Sequence, residues 1–178
     1  MTMGIGLKRG IVRLEEHQTE WEDNARQTIA QIKRLLGDTA VDVQHVGSTA
    51  IRSIPAKPII DIAVGVRDYD AVLLKKELLE ENGIIFRFDE RPAQLLFVKG
   101  DFEKDTRTHH IHVVRYGSKE WNDYLLLRDH LNADEAAAQR YADLKRESAQ
   151  KYPDDRNAYT DSKSSLIAAL LAQASAAD

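Results

Sequence analysis

Three side chains in this sequence are of types and spacings suited to chemistry: His110 and His112, two residues apart, and Asp61, a carboxylate inside an apolar run. Alternate residues of an extended segment share a face. His110 and His112 therefore point with Thr108, while His109, Ile111 and Val113 point the other way. Two imidazoles so placed can bind one metal ion or act as acid and base near neutral pH. They can equally be half-buried histidines bonded to neighbours. Asp61 interrupts the segment Ile59 to Val66, and a carboxylate there is costly to bury unless it is paired or metal-bound. It shares a face with Ala63 and Gly65, whose small size leaves space beside it, while Ile62, Val64 and Val66 form a core face. A salt bridge to Lys57 or to an arginine is the structural alternative. A functional role is favoured, because intact buried charges often mark sites.

A second group is suited to anions. Gly47 follows a strand-like segment, so backbone N–H groups there can approach an anion, and the hydroxyls of Ser48 and Thr49 can donate to it. Lys57 adds a cation nearby. Read as a tripeptide alone, Gly47-Ser48-Thr49 is more often a capped tight turn. His45 precedes the turn by two residues and could orient it. Arg107, at the start of the histidine segment, could bind an anion bidentately or be a surface charge. Trp121, Arg128, Asp129, Tyr141 and Lys145 could form a polar set on facing helices, although amphipathic packing with solvated charge explains the same spacing. Tyr159 and Lys163, four residues apart, are similarly ambiguous.

Elements must position these groups. The spacing predicts a short strand near Gly10–Leu14. A helix follows from Thr19, with Glu22 completing a capping box and Gly37 as its stop. Strands are expected over 41–46 and 59–66, with Pro55 and Pro58 keeping the connection non-helical. The second is nearly all apolar and reads as central, covered on both faces. One helix is expected from Tyr69 to Asn82. Strands at 84–88 and 94–99, joined through Arg91-Pro92, come next. A charged loop precedes the strand 108–115. A helix begins at Gly117-Ser118. Another, with Asn132 and Glu135 as a capping box, runs to about Lys151 before Pro153. A final helix carries Tyr159, Leu166, Ile167, Leu170 and Leu171, and the tail after Ala172 is expected to fray. The class is α+β: a mixed-sheet core over about 12–116 and a helical part over about 117–172, read as one domain over 1–178.

Composition narrows the possibilities. In 178 residues with 43% hydrophobic and 30% charged side chains, a real core is affordable. The net charge of −4 gives no basic footprint for general nucleic-acid binding. The absence of cysteine excludes disulfides, thiolate metal sites and cysteine nucleophiles, and favours a cytoplasmic protein. The opening residues MTMGIGLKRG lack the apolar segment of a secretory leader, and no run is apolar enough for a membrane span. There is no P-loop, dinucleotide fingerprint, nucleophile elbow or H-E-x-x-H pair.

The blocks HVGSTAIRSIPAKPIIDI, RTHHIHVV, EWNDYLLLRDHL and YADLKRESAQKYPDDRNAYTDSK together resemble the GrpB family of bacterial proteins, over about residues 12–171. A related domain in that family is fused to dephospho-CoA kinase. The resemblance implies the nucleotidyltransferase fold of polymerase β-like enzymes, whose pattern is a Gly-Ser turn, a spacer, and Asp/Glu-x-Asp/Glu on the next strand. Gly47-Ser48 matches the turn and Asp61 the first carboxylate. Ala63 stands where the second belongs, and the later strand offers His110 and His112 instead of a third. One Asp and two His cannot supply the oxygen cage of two Mg²⁺ ions, and suit one softer ion such as Mn²⁺, Zn²⁺ or Ni²⁺ better. The expected activity is that of a nucleotidyltransferase-like enzyme. Its ligand would be a nucleotide or phosphorylated small molecule. Asp61, His110 and His112 would be its catalytic or metal-binding residues. His45, Gly47, Ser48, Thr49, Lys57, Arg107, Arg128 and Lys145 would be its ligand-binding residues. The alternative is a non-catalytic nucleotide- or anion-binding module, with a tie to the CoA pathway. A structural partner for another protein ranks last. No oligomeric state is expected from the sequence.

Overall fold

A computed structural model describes residues 4–177. Its centre is a five-stranded sheet in the order β2-β3-β7-β5-β4. These strands are β2 (Ala40–Val46), β3 (Ile60–Val66), β4 (Ile85–Glu90), β5 (Gln94–Lys99) and β7 (His109–Arg115). Only β3 and β7 run parallel; the other pairings are antiparallel. A separate two-stranded ribbon pairs β1 (Leu7–Lys8) with β6 (Thr106–Arg107). The helices are α1 (Thr19–Leu36), α2 (Tyr69–Leu73), α3 (Lys76–Glu81), α4 (Lys119–Ala133), α5 (Glu135–Lys151), α6 (Arg156–Asp161) and α7 (Ser164–Ala177). Among the described residues, no helix is long and apolar enough to cross a membrane.

Strand alternation divides the core. On one face Ile60, Ile62 and Val64 of β3, with Ile111 and Val113 of β7, pack against Trp21, Ala25, Ile32 and Leu36 of α1. On the other, Val46, Ala63 and Val114 meet Trp121 of α4. The central position of β3 and its cover on both faces follow the sequence reading. The space expected above Ala63 and Gly65, however, is filled: a β-carbon on Gly65 would lie 2.8 Å from the Tyr116 ring and 3.0 Å from Trp121. Only the end of this face at Asp61 stays open. A third cluster joins Ile51 and Ile54, from the loop between β2 and β3, to Leu131, Ala138, Tyr141 and Leu170 of the helical half.

Several boundaries differ from the sequence expectations. No strand forms at 10–14; β1 lies earlier, and Glu15 instead makes an isolated bridge to Ala56. Residues 1–3 of that lead-in lie outside the described residues. The N-cap of α1 is Gln18 without a side-chain bond, because Glu22 is drawn to Arg52 instead of closing a capping box. The helix expected over 69–82 is two, broken at Leu74-Lys75, where Lys75 Nζ bonds the carbonyl of Leu36 at the end of α1. The cap of α5 is Asp134, bonding Ala137 N–H, since Asn132 is committed to Ala50 and Arg52. The final helix is also two, and α7 continues to Ala177 because Ala174 is buried.

Candidate functional site

Parallel pairing of β3 with β7 sets Asp61 opposite His110 and Ala63 opposite His112. Since both histidines are on the face that Asp61 occupies, three side chains converge at the open end of the sheet. Asp61 Oδ1 is 3.0 Å from His112 Nε2 and 3.7 Å from His110 Nδ1. One ligand atom from each residue lies within 4.8 Å of the others. Burial alone would raise the Asp61 pKa, but the two imidazoles override it and hold the carboxyl well below the usual carboxylate range.

His112 is oriented from behind. Gln94 donates through Nε2 to Glu90 Oε2, which leaves Oε1 to accept from His112 Nδ1 at 2.9 Å. The Nε2 edge of His112 hydrogen-bonds Asp61; with a proton held on Nδ1 by Gln94, Nε2 is the nitrogen that could instead face an ion lying between it and the carboxylate. His109 faces away, bonded to Thr28, Asn24 and Thr108, and burial pulls its pKa down to about 3.

These groups open into a cleft of about 560 Å³ between the sheet and the helical half. Gly47, Ser48, Lys57, Arg128 and Lys145 from the expected set line it with Asp61, His110 and His112. Lys145 is 1% exposed and donates to the Pro55 carbonyl at 2.6 Å. Arg128 clamps α4 to β2 through Gln44 Oε1 and the His45 carbonyl.

Three expected ligand-binding residues are elsewhere. His45 lies on the α1 face of β2, opposite Ile62, and does not line the cleft. Its Nε2 pairs with Thr49 Oγ1 at 2.9 Å. Thr49 is thereby buried at 1% exposure with its hydroxyl engaged internally, so the Gly-Ser turn keeps one hydroxyl for the cleft, not two. Arg107 sits on the ribbon strand β6, stacks on Phe102 and bonds the Thr106 carbonyl, outside the cleft lining.

The sequence reading did not assign the opposite wall. Tyr141 of α5, Arg156 and Tyr159 of α6, and Lys163 after it line the cleft. Lys57 and Lys163 both stack on the Tyr159 ring, 5.0 and 4.2 Å from its centroid. Burial pulls the Lys57 pKa down to about 7 and that of Lys163 down to about 8. Burial also holds Lys145 well below the usual lysine range. The available signal was the pair of i, i+4 spacings Tyr141/Lys145 and Tyr159/Lys163. Tyr124 of α4 gave no signal; it packs on His112 with ring centroids 5.2 Å apart.

The family profile described as GrpB protein matches residues 11–173. The Glutamate-rich protein GrpB of Alkalihalophilus pseudofirmus is 35% identical over 170 residues, 94% of this chain and 98% of that protein. A stretch of 67 residues, 36% of this chain and 16% of the relative, is 37% identical to part of a dephospho-CoA kinase of Mycobacterium bovis. Among solved structures, the conserved protein GrpB from Enterococcus faecalis superposes with a TM-score of 0.83 at 28% identity, covering 91% of this chain and 96% of that one. The Cid1 poly(U) polymerase with MgGTP bound gives a TM-score of 0.54 at 14% identity, covering 77% and 44%. At that identity the likeness concerns the fold alone, which is that of the nucleotidyltransferases. By profile and by near full-length similarity, the chain belongs to the GrpB family.

Proposed function

We propose that the cleft is the site of a nucleotidyltransferase-like enzyme of the cytoplasm, acting on a nucleotide or phosphorylated small molecule and using one divalent ion held by Asp61, His110 and His112. The observation that carries this is the meeting of those three ligand atoms, within 4.8 Å of one another, at the mouth of a cation-lined cleft. One carboxylate oxygen and two imidazole nitrogens form a donor set suited to Mn²⁺, Zn²⁺ or Ni²⁺ more than to Mg²⁺. Such an ion, when bound, polarises a phosphoryl oxygen and acidifies a hydroxyl on it. Gln94 keeps His112 in the ligating tautomer, and Ser48 and Lys57 are available to a phosphate beside Gly47.

Elemental analysis tests the metal centre. Wild type purified without chelator, or reconstituted with Mn²⁺, Zn²⁺ or Ni²⁺, is expected to hold one ion per chain, and His112→Ala to lose it. Asp61→Ala should abolish transfer of labelled nucleotide while its melting temperature stays within a few degrees of wild type. An Asp61→Ala protein that fails to fold would instead assign the carboxylate a structural role.

One observation favours a second reading, a binding module without transfer. Ala63, where the superfamily pattern has its second carboxylate, is fully buried against Val46, Val114 and Trp121, so that position has neither a ligand atom nor space for one. The likeness to part of a dephospho-CoA kinase turns this reading toward CoA-related ligands. Tight nucleotide binding without turnover, with and without metal, supports it. Transfer of label to any acceptor excludes it.

A further inference from the structure

The wall opposite Asp61 gathers basic side chains that the fold leaves without a carboxylate partner. Lys57, Lys145, Arg156 and Lys163 all line the cleft, and Lys145 and Lys163 are 1% and 8% exposed. Among the described residues, none of the four forms an ion pair with a carboxylate. The carboxylate whose field reaches all four is Asp61. The cations also repel one another: Lys57 feels Arg156 and Lys163, and Lys145 feels Lys57 and Lys163. The remaining acids of the lining belong to α4, where Asp123 is paired with Lys119 and Glu120 acts on Tyr124. Two guanidinium nitrogens of Arg156, Nε and Nη2, are shielded from solvent without a hydrogen-bond partner, as is the hydroxyl of Tyr159, a side chain with no exposed surface. Buried basic groups without a partner are costly in their charged form, and a protein retains them where a ligand supplies the counter-charge.

We infer that this wall is an oligophosphate subsite: Lys57, Lys145, Arg156 and Lys163 take a linear diphosphate or triphosphate, free or as a nucleoside ester, with the terminal phosphates on the helical half and the chain running toward Asp61. The inference deepens the reading above, since it rests on the cleft's ligand being phosphorylated. A single phosphate would leave most of the wall uncompensated, whereas a triphosphate matches four cations facing one carboxylate. The apolar flank of Ile51, Leu127, Ile167 and Leu171 offers a place for an organic group attached to that phosphate chain.

The test is calorimetric titration of the full chain in EDTA with orthophosphate, pyrophosphate, tripolyphosphate and citrate, followed by ATP and UTP. Affinity is expected to climb steeply from orthophosphate to tripolyphosphate, with citrate weak. Arg156→Met and Lys163→Met should each weaken tripolyphosphate by about tenfold or more, the loss typical of a charged hydrogen bond. Lys163→Arg should retain most of the affinity, and Asp61→Asn should bind as tightly or more tightly. Without ligand, Lys163→Met should melt at a higher temperature than wild type, an outcome that a purely structural lysine would not give. ATP and UTP binding more tightly than tripolyphosphate identifies the ester; equal affinities identify the free chain. Orthophosphate or citrate binding as tightly as tripolyphosphate, or wall variants that fold and bind like wild type, overturn the inference. Because chelator is present, this test stands apart from the metal: wall binding here together with no Mn²⁺, Zn²⁺ or Ni²⁺ taken up in the elemental analysis would sink the metal-dependent reading alone.

Discussion

A β-carbon at position 47 would lie 2.7 Å from Asp61 Oδ2 and 2.9 Å from Asp61 Cβ. The backbone of Gly47, at φ 72° and ψ −172°, is also in a region that is essentially closed to residues with a side chain. The glycine of the Gly-Ser turn is therefore needed twice over, and neither need is contact with a ligand: it lets the turn close over the carboxylate. Gly47→Ala is expected to lower stability by about 1–3 kcal/mol, the usual cost of such backbone strain. It should also displace Asp61, so that Mn²⁺ or Zn²⁺ affinity falls together with the urea midpoint. A Gly47→Ala protein with unchanged metal affinity would detach the turn from the site. His112 carries the same lesson at the next residue pair. Its usefulness depends less on being two residues from His110 than on Gln94, a neighbour on another strand, to which its Nδ1 is bonded.

Helix α5 begins at Asp134, whose carboxylate accepts from Ala137 N–H at 3.0 Å. Replacing that cap, Asp134→Ala, should cost about 1 kcal/mol in urea unfolding, while Thr19→Ala at the uncapped start of α1 should cost a few tenths at most. The sequence reading chose Asn132, which has Glu135 three residues on, whereas Asp134 is followed at that distance by Ala137. Only the folded chain shows that Asn132 ties α4 to Ala50 and Arg52 in the loop after the turn. The strands were more legible because period-two alternation and an all-apolar β3 are local properties. Which residues share a face within each strand was legible for the same reason, but that Asp61 meets His110 and His112 follows from the β3–β7 register, which the alternation alone does not give. The breaks at Leu74 and between α6 and α7 were not, since each depends on what the chain packs against. The cationic wall was the least legible part. Lys145 was expected there, but Arg156 on α6 and Lys163 in the turn before α7 stand in polar stretches where a sequence suggests solvated charge, and only the docking of that helical half across the cleft buries them.

At the scale of the whole molecule, those buried lysines set how stability depends on pH. The pKa of Lys57 is about 7 in the folded protein and that of Lys163 about 8, against an ordinary 10.5. Between the folded and ordinary values the unfolded chain binds more protons than the folded one, so stability rises with pH. This contribution is complete above 10.5 and is lost as pH falls through about 8 and then about 7. Tyr124, Tyr141 and Tyr159 act in the opposite sense at the alkaline end. Burial raises each phenol, so the unfolded chain releases its proton first and stability falls above about pH 10. The urea midpoint of the ligand-free protein should therefore climb from about pH 7 to about pH 9.5 and then turn down. For Lys163, which is 8% exposed, the depression corresponds to on the order of 3 kcal/mol at pH 7. Lys163→Met should flatten the climb, and the gap between variant and wild type should narrow as pH rises. Tripolyphosphate bound to the wall would pair with the lysines, restore their ordinary protonation and remove the climb in wild type. A wild-type midpoint that stays level or falls from pH 7 to 9 would mean that the wall is neutralised by groups other than a ligand.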